Sequence, residues 1–206
     1  MCIGHKVWLL AAVGLLVLVS LTPGCGPPKH VFQKYDFSFE YRADTEMTRE
    51  KGSATEGSFE WWPDTTAMFE LNWYKVSEQP EGVKNIMEES VKGSSQAAKA
   101  WAEVFVMELE GSLQRAIGVP VEWAIAGQPA SKVMGGYKVS YQLVRSQPTS
   151  LVHGLGICAI WYCESIDKLF VLQIAGKLHV GAQESVAYDT LKDVERFVKA
   201  FKTEPS

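Results

Sequence analysis

Two segments near the end of the chain, Leu155 to Cys163 and Leu169 to Ala175, are apolar at nearly every position rather than at alternate ones. A strand that is apolar on both faces has to be covered on both faces, which places this pair at the centre of a sheet. The short Glu164–Lys168 link cannot make a parallel crossover, so the two are expected as an antiparallel hairpin. No other feature of the sequence constrains the fold as strongly.

The surrounding segments supply the rest of the sheet and its covering layers. Tyr35, Phe37, Phe39 and Tyr41 alternate with Asp36, Ser38, Glu40 and Arg42, the period of a half-buried strand with an aromatic face. Gly57 to Trp62 and Ala67 to Val76 read as strands around a Pro63-Asp64 turn. Two helices follow, Glu81 to Lys92 ending at Gly93, and Ser95 to Ile117 with Trp101, Phe105, Leu109 and Leu113 stacked at intervals of four. Strand patterns resume at Val119 to Ile125, in a short stretch ending at Met134, and after the Gly135-Gly136 turn at Tyr137 to Leu143. A last helix over about Asp189–Lys202 carries a seam of Leu191, Val194, Phe197, Val198 and Phe201. Because strands and helices come in consecutive runs, the expected class is α+β, with an antiparallel β-sheet and segregated helices.

The chain of 206 residues, 47% of them hydrophobic, is long enough for one ordinary core, and no repeat or second core boundary interrupts it. Its formal charge of -4 and the lack of a basic run exclude the usual electrostatic footprint of a nucleic-acid binder.

At the N-terminus, a weakly basic lead to Lys6 precedes an uncharged apolar run from Val7 to Leu21. As a helix that run would reach about 22 Å, short of the roughly 30 Å hydrocarbon core of a bilayer. Residues 1–24 therefore read as a secretory signal peptide, residues 25–32 as a spacer, and residues 33–206 as a single domain. The junction Leu21-Thr22-Pro23-Gly24-Cys25 resembles a bacterial lipoprotein lipobox. That resemblance implies that Cys25 becomes the lipid attachment site and holds the chain on the extracytoplasmic face of the cell membrane. An uncleaved N-terminal anchor is the alternative, and it leads to the same location. Removing residues 1–24 takes away Lys6 as the only charged side chain, so the acidic excess grows and docking to anionic headgroups is disfavoured.

Motifs that carry chemistry are scarce. His30, His153 and His179 are never spaced as metal ligands. Cys158 and Cys163 would stand about 16 Å apart along a strand, beyond the roughly 7 Å that a disulfide spans, and on opposite faces. Gly154-Leu155-Gly156 lacks the third glycine and the helix of a dinucleotide fingerprint, and Glu88-Glu89 reads as a solvated helix face. No catalytic set, metal site or cofactor is expected. The most suggestive motif is Trp61-Trp62-Pro63. Trp61 shares parity with Phe59 and is expected in the core. Trp62 shares parity with Ser58 and Glu60 and is expected to turn outward, unless a helix or loop covers it. Trp62, Pro63 and Asp64 are thus the candidate partner-binding residues.

The order of elements, opening on Tyr35-Asp36-Phe37-Ser38-Phe39-Glu40-Tyr41 and closing on Phe197-Val198-Lys199-Ala200-Phe201-Lys202, resembles the PsbP-like superfamily over roughly residues 33 to 203. That superfamily includes photosystem extrinsic subunits, a Ran-binding import factor and bacterial lipoproteins. The resemblance implies an antiparallel sheet sandwiched between helices, with a non-enzymatic, protein-binding or assembly role for a membrane-tethered chain and an envelope protein as partner. A small-ligand-binding protein is the second reading, and an unrecognised hydrolase the third. A deep apolar pocket would favour the second, a shallow aromatic patch the first.

Overall fold

The apolar hairpin is the middle of a seven-stranded antiparallel sheet. The computed structural model describes residues 28–43, 48–64, 67–117, 122–147, 152–180 and 190–203, with the backbone alone at 64, 109–117, 152–153 and 177–180. The segment 1–24, Cys25 and the Val119–Val121 part of one expected strand lie outside these residues. The sheet runs β3 (Thr48–Gly52), β4 (Glu56–Asp64), β5 (Ala67–Lys75), β9 (Lys168–Val180), β8 (Val152–Cys163), β7 (Tyr137–Ser146) and β6 (Trp123–Met134) from edge to edge. From Leu169 to Ala175 no residue is more than 2% exposed, as burial on both faces of the central strand requires.

One face carries α1 (Lys84–Val91) and α2 (Ser95–Ile117). The longer helix lies on β6, β7 and β8, and the shorter one on β8 and β9. Ala97, Ala98 and Ala102 are buried, so the α2 backbone can approach the sheet closely, and Phe105 fills the space beyond them. Gly93 ends α1 in the left-handed region at φ 67°.

The other face is covered by α3 (Thr190–Ala200) together with a second, three-stranded sheet of β1 (Lys29–Lys34), β2 (Phe37–Arg42) and β10 (Lys202–Thr203). A covering of helices alone was expected there. Phe37 and Phe39 of β2, with Phe197 and Phe201 of and after α3, pack onto Trp61, Trp161 and Phe170 of the large sheet. The Phe170 and Phe201 rings meet edge to face at 4.7 Å, and Phe37 lies 5.0 Å from Phe170.

The aromatic opening strand is also corrected. β1 begins at Lys29, inside the stretch read as spacer, and Tyr35 and Asp36 are a turn rather than strand residues. Both are left-handed, with φ 57° and 70°. Two successive positive φ angles match the right-handed twist of a tight hairpin, at a cost that non-glycine residues rarely bear unaided. Lys168, whose side chain is 2% exposed, offsets that cost. Its Nζ donates to the Tyr35 carbonyl and to Asp36 Oδ2, and the Tyr35 hydroxyl donates to Glu50 Oε1 at 3.1 Å. β3 was absent from the sequence reading because Thr48-Arg49-Glu50-Lys51-Gly52 has no apolar alternation. It is a short charged edge strand, a composition that discourages further pairing. The two segments expected before and after Gly127 form one strand, β6, whose pairing with β7 shifts between Ala126 and Ala130.

Removing the buried ring of Phe37 leaves a cavity under β2, and Phe37→Ala is expected to lower stability by about 3–5 kcal/mol in chemical denaturation. Val133→Ala, at a side chain 71% exposed, is expected to stay within about 0.5 kcal/mol of wild type.

Candidate functional site

β4 and β5 pair regularly up to Trp61 opposite Phe69, and their register then shifts before Asp64 meets Ala67. The irregularity holds Pro63, a residue with no N–H to give to a ladder and therefore tolerated at such places. Beside it, between β2, α3 and the ends of β4 and β5, a cleft of about 240 Å³ opens to solvent. Trp61, Phe69, Tyr41 and Phe197 form its aromatic lining. Trp61 stacks on Phe69 at 5.2 Å and on Phe197 at 5.7 Å, so its position is fixed by both layers.

The rim is charged. Lys29 Nζ pairs with Glu40 at 2.5 Å, and Arg196 reaches Asp193 at 3.4 Å while its side chain stays 80% exposed. Arg42 is exposed on the same cleft and makes no ion pair with any described residue. Among the described residues, three cations thus face two carboxylates. Exposed pairs of this kind contribute little to stability, so the rim charges are available to an incoming anionic group.

The opposite face of the sheet carries a polar row. Glu60 lies opposite Glu70, Glu70 opposite Gln173, Gln173 opposite Cys158, and Cys158 opposite Gln142. Gln142 Nε2 donates to the carbonyls of Ala126 and Leu143, both at 2.9 Å, which anchors the row to the β6 irregularity. Burial pushes the Glu70 carboxyl up to about 7, helped by the negative charges of Glu108 and Glu60, while Asn72 and Lys51 pull weakly the other way. Burial also raises the carboxyl of Glu108 and drives the Tyr74 hydroxyl to about 12. Tyr74 stacks on Trp101 of α2 at 5.4 Å. A carboxyl raised to about 7 suits proton transfer, but Cys158, two strands away in the same row, is fully buried and its thiol is held protonated, so it supplies no thiolate nucleophile.

The candidate residues from the sequence are divided between these two faces. Pro63 lines the cleft with Trp61. Trp62 is half-buried on the other face, packs beside the α1–α2 core, and donates its indole N–H to Glu60 Oε1 at 2.8 Å. The side chain of Asp64 lies outside the description, as does Cys25. Cys158 and Cys163 are unbridged and belong to the cores on opposite faces. His153 and His179, distant in sequence, are register partners on β8 and β9, an approach that only the hairpin register reveals. Among the described residues, no three His, Cys, Asp or Glu side chains gather so as to hold a metal ion. Arg42 and Arg196 escaped the sequence reading because they meet only when β2 and α3 pack together, and the Glu60–Glu70 pair because each looks like an ordinary outward position.

No family model matches the chain, and no curated protein matches it. Among solved structures it is similar to cyanobacterial PsbP (CyanoP) from Synechocystis sp. PCC 6803, at 10% identity and TM-score 0.46, covering 88% of this chain and 95% of that one. It is also similar to the Saccharomyces cerevisiae Ran-binding protein Mog1p, at 12% identity and TM-score 0.44, over 86% of this chain and 96% of that one. A Bacteroides thetaiotaomicron VPI-5482 protein is matched at 12% identity and TM-score 0.42 over 87% of this chain, which spans 49% of that protein's length. At such identities the likeness concerns the fold alone.

The raised Glu70 carboxyl makes stability depend on pH. Its pKa rises from 4.5 in the unfolded chain to about 7 in the fold, so the protonated form is favoured by folding. The stability it contributes is complete below pH 4.5 and is lost as pH rises to about 7. Glu70→Gln, which imitates the protonated form, is expected to match wild type at pH 4 and to exceed it by roughly 2–3 kcal/mol at pH 8. Urea denaturation across that range checks it, and parallel curves would show that Glu70 titrates normally.

Proposed function

We propose that this chain is a non-enzymatic protein-binding module, tethered to the extracytoplasmic face of the cell membrane through lipid on Cys25, and that its partner docks in the cleft beside Trp61 and Pro63. The observation that carries the reading is the cleft itself: an aromatic lining fixed by two packed layers, with on its rim an exposed Arg42 that has no ion-pair partner among the described residues and a mostly exposed Arg196. Its volume of about 240 Å³ falls below the roughly 300–1,000 Å³ of small-molecule sites. It suits one or two anchoring side chains of a partner, and rigid aromatic and arginine side chains are the residues that dominate such contacts. The lipid supplies local concentration, so intrinsic affinity need not be high. Among the described residues no helix is long and apolar enough to cross a membrane, and attachment in this reading rests on the segment before Lys29.

Reversing the rim charge tests the reading. Arg42→Glu combined with Arg196→Glu is expected to weaken partner binding by tenfold or more, with thermal unfolding within a few degrees of wild type, because neither side chain is buried. Trp62→Ala is the contrasting variant. It removes a half-buried ring on the far face and is expected to cost about 2 kcal/mol of stability without altering binding by the folded protein. Binding unchanged by the double charge reversal would remove the cleft from the contact.

A further inference from the structure

We infer that the segment docking in the cleft is a membrane-proximal stretch of an integral membrane protein, bearing carboxylates beside an apolar or aromatic side chain. The inference rests on the protein-binding and Cys25-anchor readings above and adds where the partner must present itself and with what chemistry.

The position follows from chain length. Lys29 is both the first residue of β1 and part of the cleft wall. Extended polypeptide spans at most about 3.6 Å per residue, so four residues hold Lys29 within about 14 Å of an anchor on Cys25. The cleft therefore cannot move far from the bilayer surface, whichever way the domain turns. A partner segment that stands well away from the membrane is out of its reach, whereas one flanking a membrane span is presented at the right height and benefits from the same tether.

The chemistry follows from the rim and lining. Glu40 and Asp193 already have Lys29 and Arg196 as partners, and Arg42 has no counter-ion among the described residues. Among the described residues the local excess is cationic, in a chain whose overall charge is negative, which selects an anionic group. The partly exposed rings of Tyr41 and Phe69 next to it, backed by the buried Trp61, offer an apolar surface to a neighbouring side chain of the same segment. A bare lipid phosphate would satisfy the cation and leave that surface unused. It would also bring the acidic body of the domain against an anionic surface.

The test uses the full-length chain in its native membrane, with a photocrosslinking amino acid at Ala200, on the cleft wall at the end of α3. The expected adduct is a peptide that flanks a membrane span and contains Asp or Glu, and its yield should fall at least tenfold in the Arg42→Glu, Arg196→Glu variant. A flexible insertion of about 20 residues after Pro28 should lower the yield several-fold by diluting the effective concentration. An adduct to lipid alone, or to a soluble segment remote from any membrane span, would overturn the inference while leaving the anchor standing. Absence of any charge-sensitive protein adduct would overturn the protein-binding reading together with this one. Loss of Cys25 lipid labelling as the premise is checked separately: if Cys25→Ser carries the same lipid label as wild type, the anchor reading fails, and the positional argument fails with it.

Discussion

The packing of two phenylalanines of β2 and two from the end of the chain onto the tryptophans of the large sheet holds both the fold and the cleft in place. Phe37 and Phe39 enter from β2, and Phe197 and Phe201 from α3 and the residue after it. All four rest on one aromatic surface made of Trp61, Trp73, Trp161 and Phe170. Because Trp61 contacts both Phe39 and Phe197, the side chain that lines the cleft is fixed by the same interaction that fastens the small sheet and the last helix. The cost falls on the β1–β2 turn. Its two left-handed non-glycine residues are held down by a buried lysine from the central hairpin, so the turn, the hairpin and the aromatic layer are one mechanical unit.

The parts of this fold that were legible in the sequence are those where burial leaves a period. The nearly continuous apolar runs of β8 and β9, the Phe105 stripe of α2 and the Val194–Phe201 seam of α3 each announce which face is covered. The missed parts follow other physics. Tyr35 and Asp36 continue the alternation of the strand, and only tertiary hydrogen bonds from Lys168 make a turn of them. β3 is selected for charge rather than burial, since it is an edge. The second sheet was invisible because its closing strand is only two residues, Lys202 and Thr203, paired with Ser38 and Phe37.

The candidate site was half legible for a related reason. The Trp61-Trp62-Pro63 motif lies on β4 beside the cleft, which Trp61 and Pro63 line. Parity turned Trp62 away from Trp61, as it should, but the outward side of β4 is not open water. Trp62 packs beside the α1–α2 core with Glu60 accepting its indole N–H. The same half-covered environment explains Glu70: a position that alternation marks as solvent-facing lies against Gln173 and near Glu108, where an ionised carboxyl is poorly solvated and repelled. The two faces thus differ in kind, with a polar row whose proton content changes near neutral pH on one side and an aromatic cleft rimmed by arginine on the other.

If the aromatic layer binds β2 and α3 to the sheet as one unit, the two elements must open together. Native-state hydrogen exchange at increasing denaturant measures this directly. The protected amides of β2 and of α3 are expected to open with the same free energy and the same denaturant dependence, at or near the global unfolding of the β8–β9 hairpin. Opening of α3 at a clearly lower free energy, with β2 still protected, would contradict it: the wall of the cleft would then be a separate element, and the position of Trp61 would not depend on the layer described above.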